Sequence, residues 1–485
     1  MANDTKNFDL VILGGGPAGI AAATTASASG KTVAMIDNHH EVGGAGVNTG
    51  TVPSKTLRET ALALSGMKSR DLYGVDLSVR RELTVKDFLG HKQHVKRVFN
   101  STFLKRLHDQ HTQVFFGAAK FVDANTVEVK LLKGLLGAKE STEPVQLRAD
   151  KILIATGSSP THPELFNFKD TEVYDSDTIL QLRRIPKTMA IIGAGVIGSE
   201  YASTFAALGA QVHVIDGRDQ LLPFLDCEVS RALAEAMTGH GVQFLWKETV
   251  KACEPAGDGP VTLTFESGKK LTVDAVLVAA GRQSNTDSLA LDCAGVTTGK
   301  RGVIPVNEHY QTSMPHIYAA GDVIGFPALA STSMEQSRRA VAHALGLPMS
   351  NLSPLLPNGI YTIPEVSMIG ETEESLKKSG VEYVVGRTRY DEGGRGQIIG
   401  DHDGFLKLLF RKADMKLVGV HVMGETATDV VHIGLMAMLT KSTAEVFVEA
   451  CFNVPTLGQM YKLATLDALR AKDAPRKEAA AAQQQ

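Results

Sequence analysis

Short, nearly uninterrupted apolar runs alternate along this chain with glycine turns and with small-residue or helical stretches. Residues 9–13 (DLVIL), 150–155 (DKILIA), 188–192 (TMAII) and 274–279 (DAVLVA) are too short for helices and lack strict polar alternation. They predict strands buried on both faces, as in a parallel sheet flanked by helices. Residues 31–36 and 211–215 repeat the pattern and end at Asp37 and Asp216; residues 316–320 form a further strand. Small residues at 20–28 predict a tightly packed helix, and residues 85–111 carry long helical patterning. Residues 113–116 and 126–129 read as strands, and 131–143 as an exposed hairpin or loop.

The glycines between these elements carry the chemistry. Gly14-Gly15-Gly16-Pro17-Ala18-Gly19 joins the first strand to the first helix, with Asp37 about twenty residues on. This is a dinucleotide fingerprint: the first glycine makes the turn, the second admits a pyrophosphate, and the third packs helix on sheet. Asp37 is placed to accept from ribose hydroxyls. Gly193-Ala194-Gly195-Val196-Ile197-Gly198 repeats the arrangement, with Asp216 ending the next strand. Two fingerprints in one chain point to two dinucleotides and to electron transfer between them. A third glycine-rich stretch, residues 41–58 (EVGGAGVNTGTVPSKTLR), runs into a helix with Pro53 in its first turn. Such a loop suits an anionic or phosphate-bearing ligand. Thr156-Gly157, Gly281-Arg282 and Gly321-Asp322 each follow an apolar strand. The last setting places Asp322 to bind a polar ligand group.

A chain of 485 residues accommodates two to four domains. With 43% hydrophobic and 21% charged residues it has the make-up of a soluble globular protein. A net charge of −3 does not favour nucleic acid as a partner. Cys227, Cys253, Cys293 and Cys451 lie far apart, so no disulfide framework and no metal-ligand spacing is expected. The first strand leaves no room for a signal peptide, and no apolar run is long enough to span a bilayer. A cytoplasmic, reducing location is expected.

Taken together, GGGPAG at 14–19, VPSK at 52–55, ATG at 155–157, GAGVIG at 193–198, GRxxNT at 281–286 and YAAGD at 318–322 resemble the pyridine nucleotide-disulfide oxidoreductase family. The resemblance covers nearly the whole chain, in the family's order. It implies an α/β fold: two Rossmann-like (three-layer ββα-type) dinucleotide-binding domains plus an α+β C-terminal dimerisation domain. An FAD domain would comprise residues 1–157 and 285–350, an NAD(P) domain residues 158–284, and a homodimer-forming interface domain residues 352–470. The low-complexity stretch 471–485 would be a flexible tail. FAD is implied as cofactor, with NAD(H) or NADP(H) as substrate. The implied flavin contacts are Gly14, Gly16, Gly19 and Asp37 for the ADP half and Asp322 for the ribityl chain. Gly44, Thr51, Thr156, Gly157, Gly281, Arg282 and Gly321 are also expected against cofactor. Gly193, Gly195, Gly198, Asp216 and Arg218 would hold the nicotinamide nucleotide. Lys55 and Glu200 resemble the ion pair beside flavin N5, where a lysine stabilises developing negative charge and a carboxylate holds it in place.

The chain departs from the family at four positions at once. Disulfide-reducing members carry two cysteines where Gly46 and Thr51 stand, and a histidine and a glutamate where Val454 and Gln459 stand. Their joint loss predicts an enzyme without dithiol chemistry. The runs GTVPSKTLR, EYAS, NTDSLAL, GDVIGFPALAS and GIYTIPEVSMIGETE are similar to the family's soluble pyridine nucleotide transhydrogenases, although those commonly keep a cysteine where Gly46 stands. That resemblance implies ping-pong hydride exchange through the flavin, with Val196 in place of a tyrosine gate. Asp216 favours an NAD ribose, whereas Arg218 suits a 2′-phosphate, so both nucleotides are expected as substrates, with NAD favoured. An NAD(P)H oxidase or quinone reductase, and a non-catalytic flavin-binding sensor, are the alternative readings.

Overall fold

The computed structural model describes residues 5–66, 84–133, 144–255, 257 and 259–482. The loop expected at 131–143 therefore falls, from residue 134 onward, outside the described residues. Each apolar run read from the sequence is a buried strand. Lys6–Leu13 lies between Val33–Asp37 and Val145–Ile154, parallel to both. Gln113–Phe121 extends this sheet beyond Val33–Asp37, and Ile317–Ala319 pairs with Val145–Ile154, again in parallel. Thr126–Leu131 turns back antiparallel between Gln113–Phe121 and the start of Val145–Ile154. Leu10, Val11, Ile12 and Leu13 are all buried, so alternate residues serve the cores above and below the sheet.

The second parallel sheet orders its strands Val242–Trp246, Gln211–Asp216, Thr188–Ile192, Ala275–Val278 and Val173–Tyr174. A three-stranded antiparallel ribbon, Val250–Pro255, Val261–Phe265 and Lys270–Val273, packs beside it. The chain leaves the first sheet and returns to it through two short antiparallel strands, Ser158–Pro160 and Arg282–Ser284. A five-stranded antiparallel sheet follows: Asn358–Ile360, Val366–Gly370, Leu417–Met423, Phe405–Arg411 and Tyr383–Arg389. The helices Ala427–Leu439 and Met460–Ala482 pack on it. The latter stays helical through Ala482, past residue 471, where the sequence suggested a tail.

The glycine-rich stretch forms two helices rather than one, Gly44–Asn48 and Thr51–Ser65, with Gly50 between them. The long Val85–Asp109 helix opens on a capping box, in which Thr84 and Asp87 satisfy each other's backbone N–H groups.

A buried polar cluster joins the second parallel sheet's unit to the antiparallel sheet. Lys407, on Phe405–Arg411, has no solvent exposure. Its Nζ lies 2.8 Å from Asp226 Oδ1, 2.8 Å from Glu228 Oε2 and 2.5 Å from Glu373 Oε1. Asp226 caps the Cys227–Gly239 helix, and Arg387 adds a second cation against Glu228 at 2.8 Å. These three carboxylates stand close enough to hold a metal ion. The ammonium of Lys407 is the cation already among them.

Candidate active site

The two fingerprints have nearly the same geometry. Gly14 (φ +112°) and Gly193 (φ +108°) make their turns in a region closed to other residues. A Cβ on Gly19 would lie 1.9 Å from Gly14 O, and one on Gly198 1.9 Å from Gly193 O, so only glycine lets each helix approach its strand. The middle glycines differ in kind. A Cβ on Gly16 would meet only Gly44 Cα, at 3.7 Å, and one on Gly195 nothing within 4 Å. Each middle glycine thus leaves an open face at a helix N-terminus, where backbone N–H groups and the helix dipole favour phosphate.

The strand-end acids are more constrained than the sequence suggested. Asp37 Oδ2 accepts from Gly15 N at 3.0 Å and Oδ1 from His39 N at 2.9 Å. Asp216 Oδ2 likewise accepts from Ala194 N, at 2.8 Å. Each acid therefore braces its own glycine loop. Asp216 is also gripped by Arg218, with Nε 2.9 Å from Oδ1 and Nη2 2.7 Å from Oδ2. That bidentate contact outweighs burial and holds the Asp216 carboxyl at about 2.

A cavity of 1120 Å³ runs along the first fingerprint. Gly14, Gly16, Asp37, Gly44, Thr51, Lys55, Thr156, Gly157, Glu200, Arg282, Gly321 and Asp322 all line it. Gly19 lies behind the turn. Gly193, Gly195, Gly198, Asp216, Arg218 and Gly281 lie outside this lining, although Val196 and Ile197 of the second fingerprint reach it. The cavity wall is braced by contacts that sequence spacing does not reveal. Ser158 Oγ donates to Asp322 Oδ2 at 2.9 Å, and Arg282 donates to Ser158 Oγ and O at 2.8 and 2.6 Å. Asn285 Nδ2 donates to Thr156 O at 3.0 Å, and Thr156 Oγ1 donates to Asn285 O at 2.8 Å.

At one end of the cavity Lys55 Nζ lies 2.6 Å from Glu200 Oε2. The pair joins the Thr51–Ser65 helix to the Val196–Ala207 helix. Glu200 is 8% exposed and Lys55 25%. Glu200 Oε1 accepts from Tyr361 N at 2.9 Å, and the Tyr361 ring lies 5.0 Å from Lys55 Nζ. Tyr361 escaped the sequence reading because no spacing rule connects position 361 with 55 or 200. Thr51 stands one helical turn before Lys55, and Gly46 packs towards Pro17, where a Cβ would come within 2.7 Å of Cγ. Among the described residues no cysteine lines the cavity. Val454, 69% exposed, and Gln459 stand outside it.

Residues 8–344 match the model of the pyridine nucleotide-disulphide oxidoreductase family, and residues 356–465 that of its dimerisation domain. The chain belongs to this family. A soluble pyridine nucleotide transhydrogenase of Mycobacterium tuberculosis is 44% identical over 464 residues, covering 96% of this chain and 97% of the relative. One from Photobacterium profundum is 41% identical over 477 residues, covering 96% and 99%. Among solved structures, LpdA from Mycobacterium tuberculosis superposes with a TM-score of 0.86 at 24% identity, covering 95% of this chain and 99% of that one. The HOCl-induced flavoprotein disulfide reductase RclA from Escherichia coli gives 0.84 at 25%, covering 94% and 99%. The expected α/β fold with a C-terminal dimerisation domain is therefore present. This oxidoreductase takes FAD as cofactor and nicotinamide nucleotides as substrates. Its residues fit a flavin dinucleotide: the open face at Gly16 and the long cavity leading from it to Lys55 provide a continuous cradle. Among the described residues no helix is long and apolar enough to cross a membrane.

Proposed function

We propose that this chain is a cytoplasmic transhydrogenase that passes hydride between NAD(P)H and NAD(P)⁺ without dithiol chemistry. The observation that carries this reading is a contrast between the ion pair at the cavity and four other positions of the chain. The Lys55–Glu200 ion pair is formed at 2.6 Å, while positions 46, 51, 454 and 459 hold no thiol, imidazole or carboxylate. The similarity to soluble pyridine nucleotide transhydrogenases supports it.

Bound flavin supplies the centre that accepts and returns hydride. The protein's part is to bind, orient and polarise. The turn at Gly14, the open face at Gly16 and the close packing at Gly19 would seat the FAD pyrophosphate, and Asp322 would bind the ribityl chain. Gly193, Gly195 and Gly198 hold the nicotinamide nucleotide, so that one nucleotide leaves before the second enters. Lys55, fixed by Glu200, presents a cation where negative charge develops. No group needs to donate a proton during hydride transfer itself, in keeping with Val454 and Gln459 where thiol-reducing members need an acid–base pair. FAD would occupy a domain of residues 1–157 and 285–350, the nucleotide residues 158–284, and the homodimer contact residues 352–470. Arg218 releases Asp216 to meet the 2′-phosphate of NADP(H).

The test is reductive titration of the yellow protein with NADH, followed by an assay of NADPH to thio-NAD⁺ exchange. The expected results are uptake of about two electrons per flavin and rapid exchange. Uptake of four electrons, or reduction of a disulfide such as lipoamide, would refute the absence of dithiol chemistry. Rapid turnover with oxygen or a quinone but no exchange would replace the transhydrogenase reading by an oxidase or quinone reductase.

A further inference from the structure

We infer that Tyr361 is a positioning residue for the Lys55–Glu200 pair, acting through its backbone on Glu200 and through its ring on Lys55. The inference rests on the flavin site proposed above and adds to it a role for the dimerisation domain within each subunit. Tyr361 follows the Asn358–Ile360 strand and lines the cavity. Its N–H donates to Glu200 Oε1 at 2.9 Å, which turns Oε2 towards Lys55 Nζ at 2.6 Å. The carboxylate is thus fixed at both oxygens. Its ring stands 5.0 Å from the ammonium, within the roughly 6 Å at which an aromatic face attracts a cation. A lysine carries four flexible methylenes and one strongly hydrated charge. The ring limits how far Lys55 can swing from Glu200.

The same segment also grips the helix that carries Lys55. Arg58 is three residues further along it, 5% exposed. Its Nε donates to Thr362 O at 2.9 Å and its Nη1 lies 3.1 Å from Glu365 Oε1. Glu365 Oε2 accepts from Thr428 Oγ1 at 3.0 Å. Residues 361, 362 and 365 therefore hold the helix, the lysine and its carboxylate partner as one unit.

Competitive amine labelling tests this directly. Purified flavin-bound protein is treated with a trace of acetic anhydride, and acetylation of Lys55 is measured by peptide mass spectrometry relative to exposed Lys377. Tyr361→Leu removes the ring but keeps the N–H, and Lys55 labelling should rise about 3- to 10-fold. Tyr361→Phe keeps ring and N–H and should label like wild type. Tyr361→Met serves in place of leucine if Tyr361→Leu loses its flavin. A purely structural role would lower the melting temperature without changing Lys55 labelling relative to Lys377. The inference is overturned if the ringless variant labels like wild type, or if Tyr361→Phe labels like the ringless variant. Nicotinamide exchange is assayed on the same wild-type sample; its absence would count against the proposed activity and leave the labelling result standing.

Discussion

Replacing Lys407 by methionine should loosen the contact between the second parallel sheet's unit and the antiparallel sheet. Methionine fills the space of the lysine stem but removes its charge. Glu228 keeps Arg387 at 2.8 Å, and Glu373 keeps it at 3.4 Å. Asp226, only 1% exposed, loses the Lys407 ammonium and retains two backbone donors, Glu228 N and Glu373 N, both at 3.1 Å. Stranding one partner of a buried ion pair costs about 3–5 kcal/mol, and those donors place this case near the lower end. The clamp also has a defined pH window. Burial alone would lower the Lys407 pKa, but the hydrogen bonds it donates to Asp226, Glu228 and Glu373 outweigh it and raise the value. Burial likewise opposes the charged form of Asp226, yet Lys407 and the Glu373 N–H hold it below the usual carboxylate range. Stability from the raised lysine is present below its unfolded pKa and lost as pH rises through the folded one. Stability from the lowered carboxylate is present above its unfolded pKa and lost as pH falls through the folded one. The wild-type clamp is therefore complete between about pH 5 and pH 10. In the variant the stranded Asp226 takes up a proton more readily, so its deficit should be greatest near neutrality and shrink towards acid. Trp246, the sole tryptophan, lies on the Val242–Trp246 strand of the second parallel sheet, so its fluorescence in a urea titration reports that unit's unfolding. A loss below about 0.5 kcal/mol, the range of an ordinary surface substitution, would refute the argument. A deficit of the same size at every pH would refute its electrostatic part.

Lys55→Met should slow flavin reduction by NADH about 10²- to 10³-fold while FAD remains bound, measured by anaerobic stopped-flow absorbance. Arg218→Ala should raise KM for NADPH much more than for NADH in steady-state assays; equal effects would remove the 2′-phosphate role. Gly16→Val should fill the open face at the first helix N-terminus and yield colourless protein, read from the ratio of visible to ultraviolet absorbance. Glu365→Ala should leave buried Arg58 with Glu59 and the Thr362 carbonyl as partners and lower stability by about 1.5–3 kcal/mol, followed by thermal melting.

The fold was legible because its signals are local. An apolar run ending at glycine, then a small-residue helix and a strand-end acid, names a dinucleotide unit within about thirty residues. Both units fold as read, down to the steric roles of the first and third glycines. Asp37 shows where local reading stops: its position marks the strand end, but both oxygens are engaged by Gly15 and His39 backbone N–H groups. Lys55 and Glu200 were paired by resemblance, and their side chains do meet. Tyr361 could not be found in this way, since its contacts reach across 161 residues to Glu200. Lys407 was equally hidden. In the run FLKLLF it reads as one polar break in an apolar strand, and its distant carboxylate partners Asp226, Glu228 and Glu373 explain its complete burial.

In the proposed reaction hydride leaves one nicotinamide nucleotide and is delivered to another at a flavin with no adjacent thiol. The most direct test is anaerobic double-mixing stopped flow on the purified protein, reducing it with one equivalent of NADPH and then adding NAD⁺. The visible band of oxidised flavin should bleach in the first mix and return in the second, with NADH formed in equal amount. Flavin that stays reduced in NAD⁺, yet reoxidises at once with a quinone or oxygen, would contradict the proposed reaction.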